Sequence, residues 1–350
     1  MILVFNAGSA SLRWALFDKK LNQIAGERAE YPDFSNLEKL TTGILDSLDL
    51  KDLDVIGHRV VHGGADFRQP TEITTAVLSS LQKAGTLAPL HNPPALRLIK
   101  VCRETYAQTP NIACFDTEFF TNLPDYARLY PLPRKITEKY QLLRYGFHGL
   151  SHEYAAHEAA KKLKRPLNEL RLITCHLGAG ASITAIENGQ PIDTSMGMTP
   201  LEGLMMSTRS GNIDPSIPLL LQEEGGLTSS EIRQMLNKES GLAGVSGLSG
   251  DVREILAMAS DEEAEPEKKY RAGLALQMYA YRIKKGIGAY TTALGGLDAL
   301  VLTGAVAEGA DLVRGMITHG LTEVLGDFPV LVIPTNEELA IARKVSHALV

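Results

Sequence analysis

Two arginines pose the chemical question in this chain. Arg59 lies inside the apolar run of VIGHRVVHGG, and Arg209 lies in the polar, glycine-bearing loop STRSGN. Burying an unpaired guanidinium is expensive, so Arg59 requires an anionic partner, either a structural carboxylate or a substrate. Arg209 offers a planar fork that clamps phosphate or carboxylate oxygens. His91 precedes Asn92-Pro93-Pro94, whose prolines fix the entry to the helix ALRLIKVCRETY. A histidine held there is a candidate donor to a developing oxyanion, although a turn-capping histidine would look the same. Asp116 ends the strand NIACFD at the edge where active sites of open α/β sheets lie, with a capping role as the alternative. His148 stands in YGFHGLSH, the connector into the helix HEYAAHEAAKKL, where His152 and His157 read as surface or packing residues. Glu337 falls in the first turn of a terminal helix, PTNEELAIARKVSHAL, where the dipole stabilises a carboxylate or a metal is held.

These residues need elements to hold them. LITCHLGAGASITAIENG reads as strand, Gly178-Ala179-Gly180 turn and strand, with Asn188-Gly189 as a further tight turn. A glycine turn between strands lets backbone N–H groups approach an anion, although glycine hairpins are common and this one alone is weak support. MILVFNAGSASLRWALFD repeats the device, and Ala10-Ser11-Leu12 echoes Ala181-Ser182-Ile183. Two such hairpins, each opening a run of strands and helices, predict an α/β protein of two similar halves facing across a cleft. That arrangement suits phosphoryl transfer. Further along, SDEEAEPEKKY reads as a solvated charged loop, and YRAGLALQMYAYRIKKGIGAYTTAL as a long amphipathic helix. The strand LDALVLTG follows, then a turn over Ala305-Val306-Ala307-Glu308-Gly309 and a helix.

Composition narrows the class. With 350 residues and 44% hydrophobic content the chain can build two domains with proper cores. A net charge of -6 argues against nucleic acid or an anionic membrane as partner. No stretch of about 18 apolar residues occurs and the N-terminus lacks a charged leader region, so a cytoplasmic location is expected. Cys102, Cys114 and Cys175 have no C-x-x-C spacing and read as buried thiols.

NAGSASLR, GHRVVHGG, LAPLHNPPAL, FDTEFF, YGFHGLSH, HLGAGAS, DTSMGMTPLEGLMMSTRSGNIDP and PTNEELAIA occur in one order across nearly the whole chain. In this the chain resembles the acetate kinase family. The resemblance implies two domains of the actin-like ATPase (ribonuclease H-like) superfold, also seen in sugar kinases and heat-shock ATPases. Their boundaries would be 1–149 on the acetate side, closed by the terminal helix 336–350, and 150–335 on the nucleotide side. It further implies a homodimer formed through the second domain, and the reversible, Mg2+- or Mn2+-dependent reaction of ATP with acetate to give ADP and acetyl phosphate. Carried over, Arg59 and Arg209 hold the carboxylate and the migrating phosphoryl group, His148 stabilises the transition state, and His91 supports it. Asp116 positions or deprotonates acetate, and Asn6 with Glu337 forms the metal site. Val61, Leu90, Phe147 and Pro200 form a small pocket for the methyl group. The nucleotide side would use Ser9, Ser11, Arg13, His176, Gly178, Ala179, Gly180, Asp251, Val252, Arg253 and the stretch Gly304, Ala305, Val306, Ala307 and Glu308.

The departures gather on that nucleotide side. The family's HLGNG has Ala179 here, and its NAGSSSLK has Arg13. GGIGEN reads Gly304-Ala305-Val306-Ala307-Glu308-Gly309, and D-F-R reads Asp251-Val252-Arg253. The chain is also shorter than the usual family member. The expectation is an acetate kinase with an altered nucleotide pocket. Alternatives are the same chemistry with pyrophosphate or another nucleoside triphosphate as donor, or a catalytically silent relative that binds acetyl phosphate. A butyrate-type kinase is disfavoured by the small-pocket residues.

Overall fold

The computed structural model describes residues 1–8, 11–48, 50, 52–84 and 92–348, and the chain divides into two compact units. One unit collects residues 1–121, 147–154 and 336–350, and the other collects 122–146 and 155–335. Ser9, Leu90 and His91 lie outside the described residues.

The first unit is built on strands β1 (Ile2–Ala7), β2 (Ser11–Phe17), β3 (Gln23–Glu30), β4 (Val55–Val60), β5 (Thr71–Glu72) and β6 (Asn111–Phe115), in the sheet order β3-β2-β1-β4-β6-β5. β1, β2 and β3 form an antiparallel meander, while β1, β4 and β6 run parallel. β1 is apolar at nearly every position because both of its faces are covered. Leu3 and Phe5 pack with Leu37, Ile44 and Leu98 of the helices Phe34–Ser47 and Asn92–Thr105. Ile2 and Val4 pack on the opposite side with Ile341 and Val345 of the terminal helix Glu337–Ala348. That helix comes very close to β4: a Cβ added at Gly57 would lie 2.8 Å from Ile341 Cγ2.

The second unit repeats the plan. β7 (Arg171–Leu177), β8 (Ala181–Glu187) and β9 (Gln190–Thr194) form an antiparallel meander, and β10 (Ala299–Thr303) and β11 (Val330–Val332) extend it in parallel, giving β11-β10-β7-β8-β9. The internal repeat expected from the two glycine-turned hairpins is present as this shared sheet plan. Asn188 and Gly189 both take positive φ, 53° and 80°, as the tight turn between β8 and β9 demands. The long helix Pro266–Leu294 buries a stripe through Leu276, Tyr279, Ile283, Ile287 and Leu294 at helical spacing. It opens on proline at its first position, so the second half of SDEEAEPEKKY is helical rather than loop. Ala305–Gly309, expected as a turn, is a five-residue helix, because alanines at 305 and 307 favour helix where glycine would not. The three cysteines are buried and free, and no helix among the described residues is long and apolar enough to cross a membrane.

Candidate active site

In the first unit the parallel register brings three chemical groups to one sheet edge. Phe5 is level with His58 and Val60 with Phe115, so Asn6, Arg59 and Asp116 emerge at the same ends of β1, β4 and β6. Arg59 grips Asp116 with two bonds, Nε to Oδ1 at 3.0 Å and an Nη to Oδ2 at 2.6 Å. Its remaining Nη donates to Asn6 Oδ1 at 3.0 Å and stands 3.3 Å from Glu337 Oε2. Asn6 turns its amide N–H groups the other way, to Glu337 Oε2 at 2.7 Å and Glu338 Oε1 at 2.8 Å. Three carboxylates therefore surround one guanidinium. Burial works against the charge of Arg59, but Asp116 and Glu337 outweigh it and hold the guanidinium more firmly protonated than usual. Burial pushes the Asp116 carboxyl above its ordinary range against the pull of Arg59, with Glu337 adding to the rise. Glu338 is pushed up by burial and by the neighbouring Glu337 charge.

His148 adopts a left-handed backbone with φ 59°, which a residue with a Cβ rarely takes unless its surroundings impose it. The imposing contacts are with Asp116: the His148 amide donates to the Asp116 carboxylate, and the Gly149 amide to its carbonyl at 3.0 Å. Gly149 is needed there, since a Cβ would lie 2.3 Å from that carbonyl oxygen. The ring centroid of His148 lies 6.5 Å from that of His152, which is fully buried with its ring edge-on to Phe120. Val61 and Phe147 are buried, and Phe147 meets the His62 ring edge-on at 5.3 Å. Asn92 clamps the backbone of His62 through both of its amide atoms, fixing the loop after β4. Ser11 and Arg13 lie on β2, partly exposed, with the Arg13 charge felt by Glu338.

The second unit carries the other groups. The turn at Gly178, Ala179 and Gly180 is closed by the Gly178 amide bonding the Gly180 carbonyl at 2.9 Å, and Ala179 is exposed at its tip. The Ala179 carbonyl accepts from the Ser207 amide at 3.2 Å, tying this turn to the loop of Arg209. His176 sits at the end of β7. Arg209 is half-buried and donates to the Pro200 carbonyl at 2.8 Å. Among the described residues no carboxylate pairs with it, and burial pulls its pKa down to about 10. Beneath the loop, Gly241 adopts φ 63° where a Cβ would lie 2.2 Å from the Met206 carbonyl oxygen.

The loop has an anchor that the residue-by-residue reading of the sequence missed. Arg144 donates to the carbonyls of Thr194, Ser195 and Met196 at 3.1–3.2 Å and to that of Ala127 at 3.1 Å. It also pairs with Glu202 Oε1 at 2.7 Å, while the Tyr130 hydroxyl bonds the other Glu202 oxygen and accepts from the Met198 amide at 2.7 Å. At the same sheet edge, Gly304 takes φ 90° with room for no side chain, since a Cβ would lie 2.7 Å from the Leu177 carbonyl oxygen. The Gly178 turn and the segment 304–309 are thereby adjacent. Within that segment Ala307 is buried, whereas Ala305 and Glu308 are exposed and Val306 is intermediate. Glu308 Oε1 accepts from the amides of Gly304 at 3.1 Å and Thr335 at 3.0 Å. Asp251 caps the helix Val252–Ser260 through the Arg253 amide and pairs with the exposed Arg253 side chain, while Val252 is buried.

Residues 33–326 match the Acetokinase family. The chain belongs to that family. It is 42% identical over 395 aligned positions to the acetate kinase of Thermoanaerobacter pseudethanolicus, covering 98% of this chain and 97% of that one. The alignment is longer than the 350 residues here, so the relative carries insertions that this acetokinase lacks. Among solved structures, the acetate kinase of Porphyromonas gingivalis is 33% identical with a TM-score of 0.86, covering 100% of this chain and 99% of that one. A propionate kinase from Francisella tularensis is 34% identical with a TM-score of 0.88 and 98% coverage of both. The fold is accordingly that of the actin-like ATPase class, with its two α/β units.

Glu338 is the other group that the sequence reading passed over. The signal for it was the doublet Glu337-Glu338 at a helix start, where both carboxylates meet the dipole.

Proposed function

We propose that this member of the acetokinase family catalyses reversible phosphoryl transfer between ATP and acetate. The observation that carries this is the Arg59–Asp116 fork closed by Asn6, Glu337 and Glu338, in a chain 42% identical to an acetate kinase over 98% of its length. An acetate oxygen attacks the γ-phosphorus while the bond to the ADP oxygen breaks, so one P–O bond forms as one is lost. Acetate is already an anion at neutral pH, so the protein must chiefly orient it and offset charge. Arg59, locked in orientation by Asp116, holds the acetate carboxylate. Arg209, a half-buried cation with no carboxylate partner among the described residues, stabilises the equatorial oxygens of the migrating group. His148, whose backbone is pinned by Asp116, donates to the same oxygens, with His91 in support. Val61, Leu90, Phe147 and Pro200 take the methyl group, and the Gly178 turn with the segment 304–309 takes the nucleotide.

Among the described residues no group of three or more His, Cys, Asp or Glu is arranged to hold a metal by itself. Mg2+ in phosphoryl transfer is ordinarily held by one or two carboxylates, with water and phosphate oxygens completing the shell. The surplus of carboxylates over guanidinium at Asn6, Glu337 and Glu338 fits that need, and the ion, or Mn2+ in its place, would neutralise charge on the transferring phosphate. The family resemblance supports a cytoplasmic homodimer, and the net charge of -6 fits the lack of a nucleic-acid or membrane partner.

The test is acetyl phosphate formation, trapped as the hydroxamate, from ATP, acetate and Mg2+. A folded protein that yields none sinks the proposal. Because a propionate kinase is among the structural relatives, propionate is the informative second acceptor. One methylene in a small pocket is worth about 1–3 kcal/mol, so kcat/KM for propionate should fall below that for acetate by roughly 10-fold or more. The reverse order would assign the longer acid as substrate.

A further inference from the structure

Lys344 is a partly buried ammonium that the reaction as described does not use. Its Nζ lies 2.6 Å from Glu118 Oε1 and 2.6 Å from Glu153 Oε2, and the Glu118 side chain is only 3% exposed. Each of the three elements joined here supplies a group to the candidate site of the first unit. Glu118 stands two residues beyond Asp116, and its second oxygen accepts from the Phe115 amide at 2.9 Å, so it spans the bend that carries Asp116. Glu153 lies on the helix Gly149–Leu163, whose start holds His148 and Gly149 against Asp116. Lys344 itself lies seven residues beyond Glu337, two turns along the same face of the terminal helix.

The remaining contacts of that helix are chiefly apolar. Ile341 and Val345 press on Gly57, a close but non-directional contact that resists separation more than sliding. A slide by one residue would move the helix start by about 1.5 Å and take Glu337 and Glu338 off Asn6 and Arg59. Two close ion pairs near the far end of the helix oppose such a slide.

We propose that Lys344 is a positioning residue for the phosphoryl transfer: through Glu118 and Glu153 it sets the axial register of the terminal helix, and with it the placement of Glu337 and Glu338. This rests on the reading of those groups as the metal-binding edge of an acetate kinase site. A residue of merely structural value would lower the melting temperature and leave metal affinity alone. A positioning residue moves both.

The experiment compares the parent chain with Lys344→Met, Lys344→Arg and the double variant Lys344→Met/Glu118→Gln, which removes the more deeply buried of the two carboxylates that Lys344→Met would strand. Mn2+ binding is titrated by electron paramagnetic resonance, and acetyl phosphate formation is measured against Mg2+, acetate and ATP. In Lys344→Met the Mn2+ dissociation constant and the half-saturating Mg2+ concentration should rise about 10-fold, the scale of a lost support behind a ligand. kcat should fall with them while KM for acetate stays within about twofold, since Arg59 keeps its grip on Asp116. Lys344→Arg should restore most of the metal affinity. If Lys344→Met does not fold, the double variant is read in the same way. Unchanged Mn2+ affinity and kcat in a folded variant, whatever its melting temperature, overturns the proposal. A parent chain that makes no acetyl phosphate overturns the functional reading instead, and the Mn2+ titration still decides the role of Lys344.

Discussion

Among the described residues Arg59 meets two carboxylates and an amide, whereas Arg209 donates to a backbone carbonyl. The same substitution therefore has different consequences at the two sites. Arg59→Ala strands Asp116, Glu337 and Glu338 without their guanidinium and should cost about 3–5 kcal/mol of stability besides activity. Arg209→Ala removes a desolvated charge and should leave the melting temperature unchanged or higher, while kcat falls by about 3–4 kcal/mol of barrier. Thermal melts and acetyl phosphate rates on the two variants check both statements. A folded Arg209→Ala protein with near-parental rate would remove its assignment. The buried His58 gives a pH prediction. Asn111 uses its amide N–H on the Thr109 carbonyl, so its Oδ1 faces His58 and the proton resides on Nε2. Nδ1 is buried with no partner among the described residues, and burial pulls the pKa down to about 4. The folded pKa lies below the unfolded value of about 6.5, so protonation favours the unfolded chain. This contribution, about 3 kcal/mol, is complete above pH ~6.5 and is lost as the pH falls toward 4. Denaturant unfolding at pH 7.5 and 4.5 should show a smaller drop for His58→Gln than for the parent, and equal drops would refute it. Arg59 and Asp116 were legible because charge within or ending an apolar run is costly enough to need a reason. Glu338 was not, since neighbouring helical positions point about 100° apart and only tertiary placement brings both carboxylates to Asn6.

The loop from Thr194 to Asn212 holds its shape through backbone contacts that few sequences could supply. Gly203 and Gly211 adopt positive φ where a Cβ would meet the Ser195 and Leu204 carbonyl oxygens at 2.5 and 2.3 Å. Arg144 gathers three successive carbonyls at the start of this loop and Glu202 within it, so one planar fork fixes the approach to Pro200 and Arg209. Arg144→Ala should lower kcat by about a hundredfold through misplacement of Arg209, with a larger effect on kcat than on KM for acetate. Arg144→Lys should restore little, because an ammonium cannot match the fork. Hydrogen exchange across 194–212 should quicken in both variants; parental exchange with parental kcat would show that the loop stands without its anchor. The hairpins and the Arg209 loop were readable from glycine spacing and turn chemistry. The anchor was not, because Arg144 and Tyr130 lie 50 to 72 residues before their partners and nothing local marks the pairing.

Across the whole molecule the residues proposed to handle acetate keep the types that the reaction needs; of the altered positions Arg13 lies on β2 of the first unit and the others lie in the second unit, with Ala179 and the segment 304–309 at one sheet edge. The repeated sheet plan was legible because each half opens on the same hairpin. The passages of the chain between units at 121/122, 146/147 and 335/336 fall in short connections and the one at 154/155 within the helix Gly149–Leu163, so nothing local in composition marks them. The structure also narrows what the altered positions can do. Ala307 and Val252 are buried and spend their side chains on packing, so they take little space from a ligand. Ala179 and Ala305 are exposed, and Glu308 already occupies the Gly304 amide, which is then lost to a phosphate. Two or three missing contacts at about 0.5–1.5 kcal/mol each predict a KM for ATP roughly tenfold above that of the Thermoanaerobacter relative measured alongside, with similar KM for acetate. Contacts to the remote adenosine act equally in ground and transition states, so kcat should change less than KM, apart from the share due to Ala179 at the phosphates. Acetyl phosphate formation with ATP, GTP and pyrophosphate at several concentrations reads this directly. Equal KM for ATP in the two proteins would show that the substituted segment still builds a full adenosine site, and a lower KM for pyrophosphate than for ATP would move the donor assignment away from nucleotides.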